Sequence, residues 1–201
     1  MPLYLKDKKA IFHMHVPKTG GTALHAFFSK NKFECLYRDP PLLLPASRYR
    51  HCLSQHMHAS QISAILRAKR FDFLFMTVRD PLTRTISAYK MRSRKGVQLA
   101  PIDIWFGKVM ELYRRSEFAH GNLIRPQAHF WMPGCVVFRF EEGYEQTLFD
   151  RMELATGLKL KHRTLEEVNV NRKEALDPAS IERLTPLVAE FYREDYEKFG
   201  Y

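Results

Sequence analysis

Three short runs of apolar residues stand out along the chain, and each is followed by a turn. They cover residues 9–16 (KAIFHMHV), 71–78 and 135–140. Continuous apolar runs of this length are typical of strands that are buried on both faces of a sheet. The pattern therefore predicts three buried strands.

Helical periodicity and helix end signals accompany these runs. The pattern predicts helices over residues 22–29, 60–69, 81–94 and 144–156, and a last helix that begins at Pro178. Asp80 and Asp177 each precede a proline, which is a favoured start of a helix, and Gly157 is placed as a C-terminal stop. Apolar residues at three- and four-residue spacing give the last helix one packing face: Leu184, Leu187, Val188, Phe191 and Tyr192.

Strands that alternate with helices predict an α/β fold, in which a central parallel sheet is flanked by helices in three layers. A chain of 201 residues is long enough for one well-buried core. The sequence contains no internal repeat and no linker-like tract. We therefore expect a single domain over residues 1–201.

The chain is basic, because 32 Lys and Arg against 22 Asp and Glu give a formal net charge of +10. Such a charge attracts polyanions, which include nucleic acid, anionic membranes, phosphorylated cofactors and acidic polysaccharides. The three cysteines are widely spaced, which favours reduced thiols over disulfides or a zinc site. No apolar run approaches the roughly 20 residues that span a bilayer, and the N-terminal residues lack a signal-peptide pattern. We expect a cytoplasmic protein, or a luminal domain separated from its leader or anchor, with no transmembrane segment.

Residues 15–22 (HVPKTGGT), which we call the glycine loop, connect the first predicted strand to its helix. Gly20 and Gly21 allow the backbone to approach an anion, and the free N–H groups of the helix start point at it. Lys18 adds charge, and Thr19 and Thr22 add hydroxyl donors. A tight strand-to-helix turn with a solvated lysine would carry the same glycines. The lysine precedes the glycines, unlike in G-x-x-x-x-G-K-[ST], so a metal-dependent kinase is disfavoured but stays a rival.

Residues 79–89 (RDPLTRTISAY), which we call the Arg79 motif, lie where the second strand meets its helix. Ligands of parallel sheets bind along this carboxyl edge. Arg84 and Ser87 share a helix face, where a guanidinium and a hydroxyl could converge on one phosphate. An isolated R-x-x-S would equally fit a surface arginine and a small packing serine.

Pro-Lys-Thr-Gly-Gly-Thr and Arg-Asp-Pro-x-x-Arg-x-x-Ser-x-Tyr, in this order, resemble the two anion motifs of carbohydrate sulfotransferases that use 3′-phosphoadenosine 5′-phosphosulfate (PAPS), such as the heparan sulfate O-sulfotransferases. The resemblance implies a P-loop-type fold and release of adenosine 3′,5′-bisphosphate, with no metal. It also implies that Arg79 and Ser87 bind the 3′-phosphate. The residues that it implies for the 5′-phosphosulfate are Lys18, Thr19, Gly20, Gly21 and Thr22. Softer parts of the resemblance are Glu141, Asn169, Asn171, Arg163 and Thr164.

A hydroxyl acceptor needs a base to remove its proton, and histidine suits that role at neutral pH. His51, His56 and His58 cluster ahead of the second strand. His58-Ala59-Ser60 resembles the His-Ala element that carries the base in heparan sulfate 6-O-sulfotransferase-like enzymes. We therefore take His58 as the first candidate and His56 as the second, and we interpret His13 and His15, inside a strand, as packing or supporting groups.

The acceptor implied by the resemblance is a saccharide, while phenols and steroids stay open. Residues 122–131 (NLIRPQAHFW) have a composition able to grip a sugar, although a buried loop would look the same. Arg92, Arg94, Lys95 and residues 159–163 could bind the nucleotide or an acidic glycan, or form a solvated face. A non-enzymatic polyanion binder is the second rival, but no nucleic-acid-binding signature supports it.

Overall fold

The computed structural model describes residues 1–39, 52–67, 70–93, 97–166 and 175–201. Strands in these ranges form one sheet in the order β3-β1-β2-β4-β5. The strands are β1 (Leu3–Lys6), β2 (Lys9–Met14), β3 (Glu34–Leu36), β4 (Phe73–Val78) and β5 (Val136–Arg139). The helices are α1 (Gly21–Lys30), α2 (Ala59–Ser63), α3 (Pro81–Ser93), α4 (Ile102–Arg115), α5 (Glu145–Thr156), α6 (Pro178–Phe191) and α7 (Arg193–Phe199).

The centre of the sheet is parallel, as predicted. β2 pairs with β4 in the register Ile11↔Phe73, and β4 pairs with β5 in the register Phe75↔Val136. The predicted α/β fold and its three parallel strands are confirmed, but β5 is only partly buried because it lies at the edge of the sheet. Two antiparallel strands, β1 and β3, extend the sheet beyond β2, and the sequence reading did not include them.

Both faces of β4 are buried, which explains its unbroken apolar run, whereas the edge strand β5 exposes Val137. In β4, Phe73 and Phe75 pack with α1 and α5 on one face, whereas Leu74 and Met76 contribute to the core on the other face. A third apolar cluster joins α3, α4 and α6. The parallel strands therefore end together in a well-packed scaffold that can hold loops in fixed positions.

Several predicted helix ends are confirmed by their contacts. The Asp177 carboxylate accepts hydrogen bonds from the backbone N–H groups of Ala179 and Ser180 at 3.3 and 3.0 Å. Gly157 ends α5 with a φ of 73°, in the left-handed region that glycine adopts at little cost.

The predicted helix over residues 60–69 is too long. α2 ends at Ser63, and its last turn tightens because the Ile65 N–H donates to the Ile62 carbonyl. Ile62 is buried but Ile65 is 56% exposed, so the apolar spacing there does not mark a continuous packing face. The sequence reading also missed α4, although Ile102, Phe106 and Val109 recur with helical spacing and are buried. In the described ranges, no helix is long and apolar enough to cross a bilayer.

Candidate functional site

The glycine loop runs from the carboxyl end of β2 into α1 and has an unusual backbone. Lys18 has a φ of 72° and Gly20 a φ of 89°, both in the left-handed region. A Cβ on Gly20 would also approach the Phe140 ring and the Tyr144 hydroxyl at 3.2 Å. Glycine at position 20 is therefore required by conformation and by space together.

Gly21 is required for a different reason, the close approach of His15. A Cβ at position 21 would lie 1.9 Å from Nε2 of the His15 ring. The first turn of α1 also contains no acidic residue. This helix start therefore offers an anion unopposed backbone N–H groups beside the Lys18 backbone.

The two threonines of the glycine loop point in different directions. Thr19 is fully buried, and its hydroxyl donates to the Val16 carbonyl and shares a hydrogen bond with the Thr77 hydroxyl, both at 2.8 Å. Thr22 is exposed in the first turn of α1. An anion at the loop can therefore meet the Thr22 hydroxyl, whereas Thr19 contributes through its backbone.

Arg79 lies directly beside the glycine loop. Its Nη1 donates to the Lys18 carbonyl at 3.5 Å, and its guanidinium carbon lies 4.6 Å from the centre of the Phe140 ring. The Nε atom is buried and has no hydrogen-bond partner among the described residues. Burial lowers the pKa of the guanidinium, and the nearby charges of Glu141 and Asp80 oppose that shift. The two basic motifs therefore meet at one edge of the sheet.

The rest of the Arg79 motif is held by hydrogen bonds between carboxylates and backbone N–H groups. The Asp80 carboxylate accepts from the Thr83 N–H at 2.8 Å, which confirms the predicted helix cap. The Asp80 N–H donates to the Glu141 carboxylate at 2.8 Å and so links the ends of β4 and β5. Ser87 lies two turns into α3 and is 6% exposed.

Arg84 is a buried residue, which corrects the surface interpretation of its position. It is 2% exposed, and its Nε and Nη2 donate to backbone carbonyls, while its buried Nη1 has no hydrogen-bond partner among the described residues. Nε donates to the Pro17 carbonyl at 3.1 Å, and Nη2 donates to the Leu123 and Arg125 carbonyls at 3.1 and 2.8 Å. Arg84 thus ties the start of the glycine loop to residues 123–125.

The candidate base histidines occupy different surroundings. The His56 ring lies 5.4 Å from the His15 ring, edge to face. Burial, and then the charge of the N-terminal amine, lower the pKa of His56 to about 4, and the Lys18 charge adds a smaller lowering. His56 is therefore neutral at pH 7 and close to the glycine loop.

His58 faces another set of groups. Its Nδ1 lies 2.9 Å from the Ser60 hydroxyl, and its Nε2 is buried without a hydrogen-bond partner. Burial and then the Arg125 charge lower its pKa to about 4, and Glu117 opposes the shift. His51 lies outside the described residues. His13 is fully buried and stacks on Phe75 at 4.6 Å, in keeping with the packing role predicted for it.

Residues 122–131 form a buried loop, not an open sugar-binding surface. Arg125 and Gln127 are 2% and 0% exposed. Gln127 contacts the Arg79 backbone, and the Asn122 amide donates to the His56 carbonyl at 2.8 Å. His129 and Trp131 are partly exposed, and Nε2 of His129 lies 3.2 Å from the Glu194 carboxylate. The sequence marks this segment as polar, but the contacts by which it supports Arg79 and His56 depend on the fold.

Several of the remaining candidate residues contact other side chains or lie outside the described ranges. Arg163 pairs with Asp150 and Glu153 at 2.5 and 2.9 Å. Arg92 lies 3.1 Å from Nδ1 of His120. Four candidates lie outside the described residues: Arg94, Lys95, Asn169 and Asn171. Across the described ranges, no three His, Cys, Asp or Glu side chains are grouped so that they could hold a metal ion.

Comparison with known proteins identifies the family of the chain. Searches of curated proteins and of solved structures give no match. A comparison with protein families matches residues 1–201 to the profile described as a sulfotransferase family. Because the match extends over all 201 residues, the chain belongs to the sulfotransferase family.

Proposed function

We propose that this sulfotransferase acts as one catalytic domain that transfers the sulfuryl group of PAPS to a hydroxyl acceptor, with saccharides as the acceptor class. The observation that carries the proposal is the contact between its two basic motifs. The Arg79 guanidinium donates to the Lys18 carbonyl at 3.5 Å, so the two motifs lie next to each other. A nucleotide that carries anionic groups at two positions fits such a pair of sites.

The described residues fit the two ends of PAPS by the chemistry of their donors. The glycine loop offers the Lys18 ammonium, the backbone of Gly20 and Gly21, and the Thr22 hydroxyl to a 5′-phosphosulfate. The buried, unpartnered Nε of Arg79 and the hydroxyl of Ser87 suit a 3′-phosphate. The Phe140 ring, 38% exposed beside Arg79 and Gly20, offers a flat apolar face to the nucleoside.

When bound, PAPS supplies the sulfuryl group and a bisphosphate leaving group. The protein has to position the acceptor oxygen and stabilise charge, because transfer of this kind needs little covalent help. Lys18 stabilises negative charge on the leaving phosphate. The fixed backbone of the glycine loop keeps its N–H groups directed at the same charge.

Two observations favour His56 over His58 as the base. The ring of His56 contacts His15, which itself lies against Gly21, and the charge of Lys18 acts on His56. The charges that act on His58 are those of Arg125, Glu117 and His129. A neutral His56 can accept the hydroxyl proton as the oxygen attacks.

Nucleotide binding gives the first test of the site. Adenosine 3′,5′-bisphosphate should raise the melting temperature of the wild type, and Lys18→Ala or Arg79→Ala should remove most of that rise. Lys108→Ala and Arg114→Ala remove the same charges from exposed positions of α4 and should keep it. An unchanged rise in both site variants would contradict the assignment. Magnesium-dependent ATP binding would favour a kinase, and salt-sensitive nucleic-acid binding that survives Lys18→Ala would favour a polyanion binder.

Turnover gives the second test. Transfer of label from PAPS to a panel of saccharides, phenols and alcohols should identify saccharide products. His56→Ala should reduce turnover by roughly 10²- to 10⁴-fold with little change in bisphosphate affinity. The matched His58→Ala variant should reduce turnover much less. The reverse result would make His58 the base.

A further inference from the structure

The side chain of Gln127 makes an unusual pair of contacts with the residue that we place at the 3′-phosphate. Its Oε1 accepts from the Arg79 N–H at 2.9 Å, and its Nε2 donates to the Arg79 carbonyl at 2.8 Å. One side chain thus satisfies both backbone groups of Arg79. A carboxamide is suited to this because it carries a donor and an acceptor in one plane.

Arg79 needs such a partner because of where it lies. β4 ends at Val78, which pairs with Arg139 of β5 in the last register position of the ladder. Backbone N–H and C=O groups that leave a sheet edge in a buried region have to find other partners. Gln127 supplies them, so it continues the sheet pattern by one residue with a side chain.

Gln127 is itself held in place. It is fully buried, and its backbone N–H donates to the carboxylate of the fully buried Asp195 at 2.9 Å. The Ala128 N–H donates to the other oxygen of that carboxylate at 2.8 Å. Asp195 belongs to α7, so this helix fixes the turn that carries Gln127.

We infer that Gln127 is a positioning residue for Arg79, and that it sets the affinity for the 3′-phosphate without touching the nucleotide. Among the described residues, the guanidinium of Arg79 has a long contact to the Lys18 carbonyl and lies over the Phe140 ring, and its Nε has no hydrogen-bond partner. Gln127 fixes the backbone from which this side chain extends. Misplacement of a charged contact by about 1 Å is enough to cost much of its effect.

The inference rests on the proposed function, and a ratio of affinities tests it separately. The quantity to measure is the Kd of adenosine 5′-phosphate divided by the Kd of adenosine 3′,5′-bisphosphate, which reports the 3′-phosphate alone. Gln127→Glu keeps the size of the side chain but removes its donor, and Gln127→Met removes both partners. Each should lower the ratio about tenfold, while binding of adenosine 5′-phosphate is largely kept. The exposed Gln146, changed to Glu or Met, is the matched control and should leave the ratio unchanged.

A double-variant comparison separates positioning from simple destabilisation. In an Arg79→Ala background, Gln127→Glu should lower the ratio no further, because the group that it positions is gone. If Gln127→Met does not fold, Gln127→Glu and Asp195→Asn carry the test, since both retain volume. Equal loss of both nucleotides, or an unchanged ratio, overturns the inference. A ratio that does not respond to Arg79→Ala itself overturns the proposed function instead.

Discussion

The glycine loop and the Arg79 motif lie side by side at one edge of the sheet, but they are held by different means. The glycine loop is shaped by its backbone, through positive φ at Lys18 and Gly20 and the close approach of His15 to Gly21. The Arg79 motif is held by side chains that come from distant segments, the buried Gln127 and the exposed Glu141. Local rules therefore explain the first region, and only the folded chain explains the second.

The largest effect should come from the residue that joins the two regions. Arg84→Met leaves the buried carbonyls of Pro17, Leu123 and Arg125 without their donor. We expect a loss of roughly 3–4 kcal/mol in the free energy of unfolding, measured by urea denaturation. Arg114→Met at an exposed position should cost little, and equal losses in the two variants would mean that Arg84 does not act as a clasp.

The next effect should come from steric conflict inside the glycine loop. Gly21→Ala forces a methyl group against the His15 ring and should cost about 1–3 kcal/mol, with a weaker rise in melting temperature on bisphosphate binding. Gly107→Ala is the control, because nothing lies within 4 Å of a Cβ there. Adding His15→Ala to Gly21→Ala should recover part of the stability. No recovery would show that the ring is not the obstacle.

Acidification should destabilise the folded protein through its buried histidines. Burial lowers the pKa of His13 to about 3 and of His56 and His58 to about 4, against about 6.5 in an unfolded chain. The folded state therefore binds fewer protons, so stability is retained above pH 6.5 and falls as the pH drops toward 4. From pH 7 to 5 we expect a loss on the order of 1–2 kcal/mol per histidine.

A variant of His13 isolates one share of that loss. His13→Phe keeps a flat ring against Phe75 and removes the titrating group. Urea denaturation at several pH values should show a shallower fall in stability for this variant. The same slope as in the wild type would mean that His13 does not stay neutral in the folded protein.

The smallest effect should come from outside both regions. Arg163 pairs with Asp150 and Glu153 of α5 at the surface. Arg163→Ala should leave the Kd of adenosine 3′,5′-bisphosphate within about twofold, because exposed ion pairs contribute little. A large rise in that Kd, seen by calorimetry, would restore Arg163 as a nucleotide contact.

The sequence predicted the parallel strands and both basic motifs because their signals are local. Gly20, Gly21 and Asp80 act on their immediate neighbours, so turn and cap rules find them. β1 escaped prediction because its four residues carry only a short pattern, although Asp7 and Lys8 form a hairpin turn with positive φ at both positions.

The roles of Arg84 and Gln127 could not be predicted for the opposite reason. Arg84 contacts residues 39 to 67 positions away, and Gln127 contacts Arg79 across 48 positions. The charge of Arg84 and the polarity of Gln127 suggested surface or ligand-binding positions, whereas both side chains are buried. His56 and His58 lie two positions apart, so the choice between them depends on which ring the fold turns toward Lys18.

The clasp of Arg84 has a consequence for recognition. The Arg84 guanidinium binds the Pro17 carbonyl from the helix that also bears Ser87. The distance between the glycine loop and the Arg79 motif is therefore fixed. A ligand therefore loses no binding energy in bringing the two motifs together. Molecules whose anionic groups are spaced differently should bind more weakly, because the two motifs do not move to fit them.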